Sequence, residues 1–554
     1  MPEGRYWLHT LGCPKNQVDS EKLAGLLVME GFRAADRPHE ADLVVVNTCA
    51  FIEAAREESV EAILALADER RPGARLVVTG CMAERYGREL ADALPEVDLV
   101  AGFGQAFASP ALHLSPASHL SPASRPAQPP SRTSPPAQPP GQPVPVAVAL
   151  GPSPRRPPAR LPDRPPGRTL RRTTHHPSDR RPRRPALGPA ARSFDLLELR
   201  RPPAAAPWAY VKVAEGCDRR CGFCAIPSFR GAQRSRTPAD VLAEVAALAG
   251  DSAMPVKEVV LVAQDLASYG RDRTPSGAWT GGGARTTRDG ARTAGSGARP
   301  MPLVALVGAV ADMVPRTRLL YLYPSGLTGE LVDAVLATGV PYFDLSLQHV
   351  SRPLLARMRR WGDGERFLDR IAAIRRDAPD ATFRSSFIVG YPGETEADHD
   401  ALLEFLAEAQ LDWAGFFPFS KEEGTFAAGL GAQVPEALAL ERLRECAEVQ
   451  DAVTAGRRDG LVGEVREVLV DAPGRGRTVH EAPEIDGVVR VPETLPAGTM
   501  VDVTLTESLG TDLVGELAVG GLPARGLPAR GLPARGLPAR GLPAGASHDL
   551  GVPR

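Results

Sequence analysis

From residue 5 to about residue 103 apolar positions recur with two periods in alternation. Residues 6–10 read as a strand. Leu23, Leu26 and Leu27 then fall at helical spacing behind Ser20, a candidate cap, and Gly31 closes that helix. The β-branched run at 43–46 predicts a second strand and residues 53–70 a second amphipathic helix. A third strand follows at 76–78 and a third helix at about 84–94. Strands separated by helices predict a parallel sheet with helices over its faces, since a parallel pair needs a long crossover.

The alternation returns between 208 and 457, with strands expected at 209–213, 259–262, 319–323, 343–347, 383–389 and 413–419 and a helical stretch at 441–453. From about 461 to 517 the strands shorten and turn residues such as Pro473-Gly474 and Asp486-Gly487 separate them, which suits a small β-barrel. Three stretches carry neither period. Residues 109–207 repeat SPAS and PAQPP and then cluster arginines; 271–300 is rich in Gly, Thr and Arg; and GLPAR repeats from 521 onward. Such compositions bury too little apolar surface to offset ordering entropy, so each reads as a disordered insertion or tail. The division is therefore 5–105 an α/β domain, 106–207 a Pro/Arg-rich linker, 208–457 a second α/β domain with an insertion at 271–300, 458–518 a β-barrel, and 519–554 a tail.

Charge sharpens the division. Of 55 prolines, 26 lie in 109–207, together with 16 Arg against 4 acidic residues, a net +12; because the whole chain is −2, the remainder sums to −14. An acidic folded part is poorly suited to holding nucleic acid by bulk charge. Apolar runs such as 143–150 fall far short of the ~20 residues of a spanning helix, and residues 1–11 lack a basic start before an apolar core, so the expectation is a soluble, cytoplasmic protein without membrane contact.

The seven cysteines are too few for a disulfide scaffold in a chain of 554 residues. Cys217, Cys221 and Cys224 form a C-x3-C-x2-C loop after the strand at 209–213. Three thiolates so spaced can each hold one iron of a [4Fe-4S] cubane and leave the fourth iron open. Zinc would want a fourth Cys or His nearby, and residues 225–237 supply neither. Cys13, Cys49 and Cys81 are dispersed, yet each follows a predicted strand, with 35 and 31 residues between them. The carboxyl ends of parallel strands share one edge, where ligands gather, so the three together read as holding a second cluster, whereas any one taken singly reads as a small buried hydrophobe. Cys446 reads as a packing residue.

The C-x3-C-x2-C loop resembles that of the radical S-adenosylmethionine enzymes, whose cofactor binds the open iron. With Cys13, Cys49 and Cys81 ahead of it and a β-barrel behind, the chain resembles the radical methylthiotransferases over residues 5–103 and 208–518 apart from 271–300. The resemblance implies an N-terminal cluster domain, a radical-SAM partial (β/α) barrel and a TRAM barrel. It also implies two [4Fe-4S] clusters on the six named cysteines, S-adenosylmethionine, and a reductant such as flavodoxin or ferredoxin. In that family the second cluster is implicated in supplying the inserted sulfur. Gly390, Gly393 and Glu394 in SFIVGYPGET resemble the family's glycine-containing cofactor segment, although two glycines after a strand equally suit a plain turn. Gln264 and Gln348 end barrel strands, where such barrels keep their active sites, and are further cofactor candidates; Asp265 adjoins Gln264, and His349 reads as a loop histidine.

Substrate choice within the family turns on the last domain. Residues 459–517 hold 12 acidic and 4 basic residues, net −8, which disfavours RNA and suits a basic protein. EAPEIDG at 481–487, YLYP at 321–324 and LSLQH at 345–349 resemble the RimO branch, which methylthiolates an aspartate side chain of small-subunit ribosomal protein S-twelve. The alternatives are a MiaB-like enzyme acting on an adenosine beside the tRNA anticodon, which the Arg-rich linker could serve, and a non-catalytic iron-sulfur carrier or scaffold.

Overall fold

A computed structural model describes residues 4–105, 194–251, 253–273 and 301–518. The stretches 106–193 of the expected linker, 274–300 of the insertion and the repeat tail at 519–554 lie outside the described residues. The N-terminal domain is a five-stranded parallel sheet in the order β2-β1-β3-β4-β5, formed by Arg33–Ala34, Arg5–Thr10, Leu43–Thr48, Arg75–Gly80 and Leu99–Val100. All six residues of β3 are buried, as an interior parallel strand covered on both faces requires. Three helices cover it: α1 (Pro14–Met29), α2 (Glu53–Glu69) and α3 (Cys81–Ala93).

Two local expectations are corrected here. Helix α1 starts at Pro14, with Cys13 at its N-cap, and not behind Ser20. Proline suits a first helical position, where its missing N–H costs nothing. Ser20 lies within the helix, buried, and its hydroxyl oxygen accepts from Thr10 Oγ1 (2.6 Å) and Asn47 Nδ2 (2.9 Å), tying α1 to two strand ends. The expected linker also ends earlier than 207. Leu196 and Leu197 are buried, Lys22 Nζ donates to Leu197 O (2.8 Å) and Arg201 donates to Tyr210 O (2.6 Å), so 194–207 packs onto both α/β domains.

The second domain has two three-stranded parallel sheets. One runs β10-β9-β6 (Arg316–Leu319, Glu258–Val262, Trp208–Lys212) and the other β11-β12-β13 (Tyr342–Gln348, Thr382–Val389, Trp413–Pro418). A bridge between Leu322 and Leu345 joins them into a partial (β/α) barrel. Its crossovers and flanks are α4 (Ile226–Arg230), α5 (Pro238–Ala249), α6 (Pro302–Ala311), α7 (Gly329–Ala337), α8 (Arg352–Arg357), α9 (Gly364–Asp377), α10 (Glu396–Ala409) and α11 (Glu436–Asp459). A short hairpin of β7 (Ala214–Glu215) and β8 (Arg234–Ser235) brackets the cluster loop. Strand β10 stops at Leu319, short of the expected 319–323, because Tyr321 stands at φ 66°, outside the extended region. Strand alternation sorts β9: Val259 and Leu261 face the helices, whereas Val260 and Val262 join an inner cluster with Tyr210, Leu320 and Tyr342. That inner cluster is completed from outside the domain, by Val18 of α1 and Ala482 of the C-terminal domain.

The C-terminal domain is a closed barrel in the order β14-β15-β16-β18-β17 (Val465–Ala472, Arg475–Arg477, Val489–Arg490, Asp512–Leu517, Met500–Leu509). Pro473-Gly474 makes the expected turn, with Gly474 at φ 80°. Asp486-Gly487 does not form a surface hairpin: Tyr342 Oη (2.5 Å) and the Ala482 amide (2.8 Å) both donate to the Asp486 carboxylate, so the segment between β15 and β16 reaches into the partial barrel. Glu258, fully buried, accepts from Arg318 (2.7 Å) and Arg477 (2.9 Å), while Arg316 reaches Arg477 O (2.9 Å) and Glu467 (3.2 Å). Part of the −8 of this domain is thus internal, with Glu481 paired to Arg458 and Asp486 beside Arg384. Among the described residues no helix is long and apolar enough to cross a membrane.

Candidate iron-sulfur site

Cys13, Cys49 and Cys81 follow β1, β3 and β4, which are neighbours in the sheet. The register pairs Thr10 with Asn47 and Thr48 with Gly80, so the three strands end level and deliver their cysteines to one edge. Close packing holds them there. A Cβ on Gly12, at φ 94°, would stand 2.9 Å from Cys49 Cβ and 3.0 Å from its sulfur, so only glycine lets the loop of Cys13 pass. Cys81 opens α3 directly. Its sulfur contacts Asn16 Oδ1 (3.4 Å) and accepts from Arg230 (3.0 Å).

The thiols differ in charge environment. Burial, reinforced by its sulfur neighbours Cys81 and Cys13, pushes Cys49 up to about 12. Burial acts the same way on Cys13, but Lys15, Arg230 and two backbone N–H groups outweigh it and bring this thiol below its ordinary value. Such thiols give up their protons to a metal, whose positive charge replaces the proton's.

The second trio lies on a loop anchored by main chain. Gly216 turns at φ 79°, and a Cβ there would lie inside van der Waals contact with the carbonyls of Gly231 and Ala232. Cys217 N donates to Gly231 O (3.0 Å), Gly222 N to Met358 O (2.8 Å) and Ala427 N to Gly222 O (2.8 Å). Cys217, Cys221 and Cys224 keep partial exposure and are unpaired thiols. Burial raises Cys217 to about 11 and Cys224 to about 12. Among the described residues no three His, Cys, Asp or Glu side chains are gathered on one metal ion. A cubane does not ask for that, because each thiolate takes a different iron. Six unpaired thiols in two sets of three, on glycine-lined loops with cations beside them, are a donor set that fits such clusters.

Between the trios runs a buried polar network. Arg230, on α4 just past Cys224, donates to Glu215 (2.8 Å) and Asn16 (2.6 Å) as well as to Cys81. Lys212 pairs with Asp19 and with Glu215 (2.6 Å). Arg230 and Lys212 hold the Glu215 carboxyl well below the carboxylate range although burial opposes it. Gln264 Nε2 donates to Glu215 Oε1 (2.8 Å), and its own carbonyl oxygen is buried without a partner. The segment Tyr321-Leu322-Tyr323 flanks both trios. Lys15 Nζ lies 3.2 Å from the ring centroid of Tyr321, while Arg219 and Arg360 stack on Tyr323 at 3.5 and 3.9 Å. Arg219 also pairs with Asp265 (2.6 Å), and Arg360 reaches Cys221 Sγ (3.5 Å). Tyr321, two residues past β10, and Gln348, the last residue of β11, both hold positive φ, 66° and 74°, a strain typical of sites built for function.

The other candidates lie in the second domain. Gly390 and Gly393 sit at φ 74° and 83° in the turn after β12, where added Cβ atoms would meet Ala439 (2.6 Å) and the Arg357 guanidinium. Glu394, expected at the cofactor, is buried; its carboxylate accepts from Tyr391 N (3.0 Å) of the turn and Arg442 (3.1 Å) of α11, one at each oxygen. That turn touches the cluster loop through Tyr391, whose hydroxyl donates to Arg357 O (3.2 Å) one residue before the Met358 carbonyl that binds Gly222. His349 is buried with Nδ1 accepting from Ser351 N (3.0 Å), and burial lowers it to about 4, so it is neutral at pH 7. Cys446 packs in the core of the second domain. Sequence reasoning passed over Lys15, Asp19, Lys212 and Arg230. Arg230 alone left a signal, a basic residue on the first helix after the cluster loop.

Three family models match the chain: Uncharacterized protein family UPF0004 over 5–102, the Radical SAM superfamily over 211–406 and the TRAM domain over 462–518. A relative from Streptomyces coelicolor, named ribosomal protein uS12 methylthiotransferase RimO, is 40% identical over 537 residues, covering 93% of this chain and 97% of the relative. This chain belongs to the RimO family. RimO relatives from Frankia casuarinae (39% over 530 residues, 90% of this chain and 88% of the relative) and Moorella thermoacetica (37% over 502 residues, 90% and 95%) agree. It is a radical SAM methylthiotransferase, and superfamily membership brings S-adenosylmethionine and an iron-sulfur cluster with it. RimO relatives of nearly full coverage also resolve the family-level choice against the MiaB-like branch and against a non-catalytic carrier.

Proposed function

We propose that this chain inserts a methylthio group into an aspartate side chain of ribosomal protein uS12, with Cys217, Cys221 and Cys224 holding one [4Fe-4S] cluster and Cys13, Cys49 and Cys81 a second. The supporting observation is that the two cysteine trios flank one tyrosine segment, Tyr321 to Tyr323, in a chain of the RimO family. When bound, the clusters and S-adenosylmethionine supply one-electron cleavage of a sulfonium, a radical that takes hydrogen from an unactivated carbon, and a site for sulfur. The protein's own contribution is placement. Arg230 and Lys212 neutralise Asp19 and Glu215 between the trios, so the region stays dry without an unpaired acid. Gln264 keeps one buried carbonyl to accept from a ligand, Gln348 marks the strained end of β11, and Gly390 and Gly393 make the turn after β12 that packs on Ala439 and Arg357. A flavodoxin- or ferredoxin-class reductant supplies the electron, and the reaction takes place in the cytoplasm, where ribosomes are.

Mass spectrometry of uS12 and tRNA from cells lacking this gene tests the reading. Loss of a methylthio mass from uS12 alone is expected; loss from tRNA alone would overturn it.

A further inference from the structure

The loop after β13 reaches both cysteine-bearing regions within residues 420–427. At its start Ser420 Oγ accepts from Glu53 N (3.1 Å), one of the amides a helix N-terminus leaves without an internal partner, and so holds the first turn of α2 just past Cys49. Glu422, 2% exposed, accepts from Arg56 of α2 (2.7 Å) and Arg85 of α3 (2.6 Å). Arg85 stands one helical turn beyond Cys81 and also donates to Ala50 O (3.0 Å), the carbonyl next to Cys49. At the far end of the loop Ala427 N donates to Gly222 O (2.8 Å), and Phe426 lies 3.3 Å from where a Cβ on Gly222 would stand. Gly222 sits between Cys221 and Cys224.

The stretch between these two attachments is braced. Phe419 N donates to Val389 O (2.8 Å), Glu422 N to Ser420 O (3.0 Å), and Thr425 donates to Glu422 O through both N (3.2 Å) and Oγ1 (2.7 Å). Ala428 N donates to Thr425 Oγ1 (3.3 Å), and Ser420 Oγ donates to the Glu422 carboxylate (2.6 Å). An exposed ion pair between domains would tolerate slack. A buried carboxylate shared by two guanidiniums is fixed in direction as well as charge, since removing one member strands the others.

We propose that Glu422 is a positioning residue for the insertion step: through Arg85, Arg56 and Ser420 it fixes the spacing between the two cysteine trios. This rests on the two-cluster reading above. Cleavage of S-adenosylmethionine needs only the trio of the second domain, whereas insertion needs sulfur held by one domain to meet a carbon activated in the other. Glu422 touches neither trio, so its loss separates the two outcomes.

The test compares reconstituted Glu422→Ala, Glu422→Gln and Arg85→Met with the native holoenzyme. Iron content, 5′-deoxyadenosine, methylthiolated uS12 peptide and hydrogen exchange by mass spectrometry are followed together. In Glu422→Ala, exchange is expected to rise at residues 49–56 and 420–423 and stay native at 217–224, with iron content and 5′-deoxyadenosine formation close to native. Methylthiolated peptide per 5′-deoxyadenosine is expected to fall by up to about 10²-fold, the cost of ~1 Å of misplacement between reacting groups. Glu422→Gln, which keeps an acceptor oxygen, is expected to fall between Glu422→Ala and native, and carries the same comparison if the alanine variant does not fold. Arg85→Met is expected to match Glu422→Ala, and the double replacement to add nothing further, since both cut one linkage. Unchanged exchange at 49–56, or an unchanged product ratio once that exchange rises, would overturn the assignment. Loss of N-terminal iron, or an equal fall in both products, would also overturn it by making Glu422 a support of the fold; in each case the proposed function stands. About four irons in the native enzyme would instead bring down the two-cluster reading and this inference together.

Discussion

At Gly216 the main chain turns at φ 79° with the carbonyls of Gly231 and Ala232 pressed against the position a Cβ would take. Those carbonyls belong to the return of the cluster loop, and Gly231 O also receives the Cys217 amide, so one added methyl displaces the first cysteine of the trio. Misplacing a reacting group by ~1 Å costs about 10²-fold in rate. Gly216→Ala is accordingly expected to cut 5′-deoxyadenosine formation at least that far while iron bound by Cys13, Cys49 and Cys81 persists, as quantified by iron assay and product chromatography. Equal activity in the variant would mean that the loop does not set the geometry. The cysteines and glycines at such positions were legible from the sequence because their signal is local, a fixed spacing after a strand. Arg230 against Cys81 and Lys15 on Tyr321 were not, since 149 residues separate the first pair and no periodicity reports which side chains meet across domains.

Among the elements, the longer strands of the parallel sheets were legible to within a few residues because apolar runs such as β3 and β9 are buried on both faces. Errors came where tertiary contacts override propensity. Ser20 looks like a cap but is used to tie α1 to β1 and β3, and 194–207 looks like linker but is packed through Leu196 and Leu197. The segment between β15 and β16 reads as an exposed acidic turn, yet Glu481 is matched by Arg458 and Asp486 by Arg384. Glu258 is the clearest such junction. Burial alone would raise its carboxyl, but Arg477 and Arg318 outweigh burial and hold it at about 2 against an ordinary 4.5. A depressed acid stabilises the fold fully above its unfolded value and loses that contribution as pH falls through the folded value. The Glu258 contribution to docking of the C-terminal barrel, read as the difference between the native protein and Glu258→Gln, should therefore hold between pH 7 and 5 and weaken progressively from about pH 4.5 toward 2, separate from Glu484 and Asp486 at the same junction, whose carboxyls burial raises to about 7 and about 6. Glu258→Gln, which leaves buried Arg318 without its counter-ion and Arg477 with Asp471 alone, should cost about 3–5 kcal/mol at pH 7 and remove this acid limb. Denaturant titration monitored through Trp208 and Trp413, which flank the junction, checks both, and an unchanged midpoint would contradict the role given to Glu258.

On the scale of the whole molecule, the two α/β domains are joined by more than chain connectivity. Val18 of α1 completes the inner apolar cluster of the partial barrel, Arg230 spans from the cluster loop to Cys81, and Glu422 after β13 binds Arg56 (2.7 Å) and Arg85 (2.6 Å) of the N-terminal domain. The C-terminal barrel enters the same interior through Ala482 and Asp486. Three domains thereby surround one place, where each cysteine trio meets the tyrosine segment after β10. The central claim is that both trios carry iron at that place. Iron and acid-labile sulfide counted in anaerobically reconstituted protein, with Mössbauer spectroscopy to define cluster type, test it most directly. About eight irons per chain are expected from two cubanes, falling by half when Cys13, Cys49 and Cys81 are replaced together by alanine. About four irons in the native protein, unchanged by that triple replacement, would contradict the account.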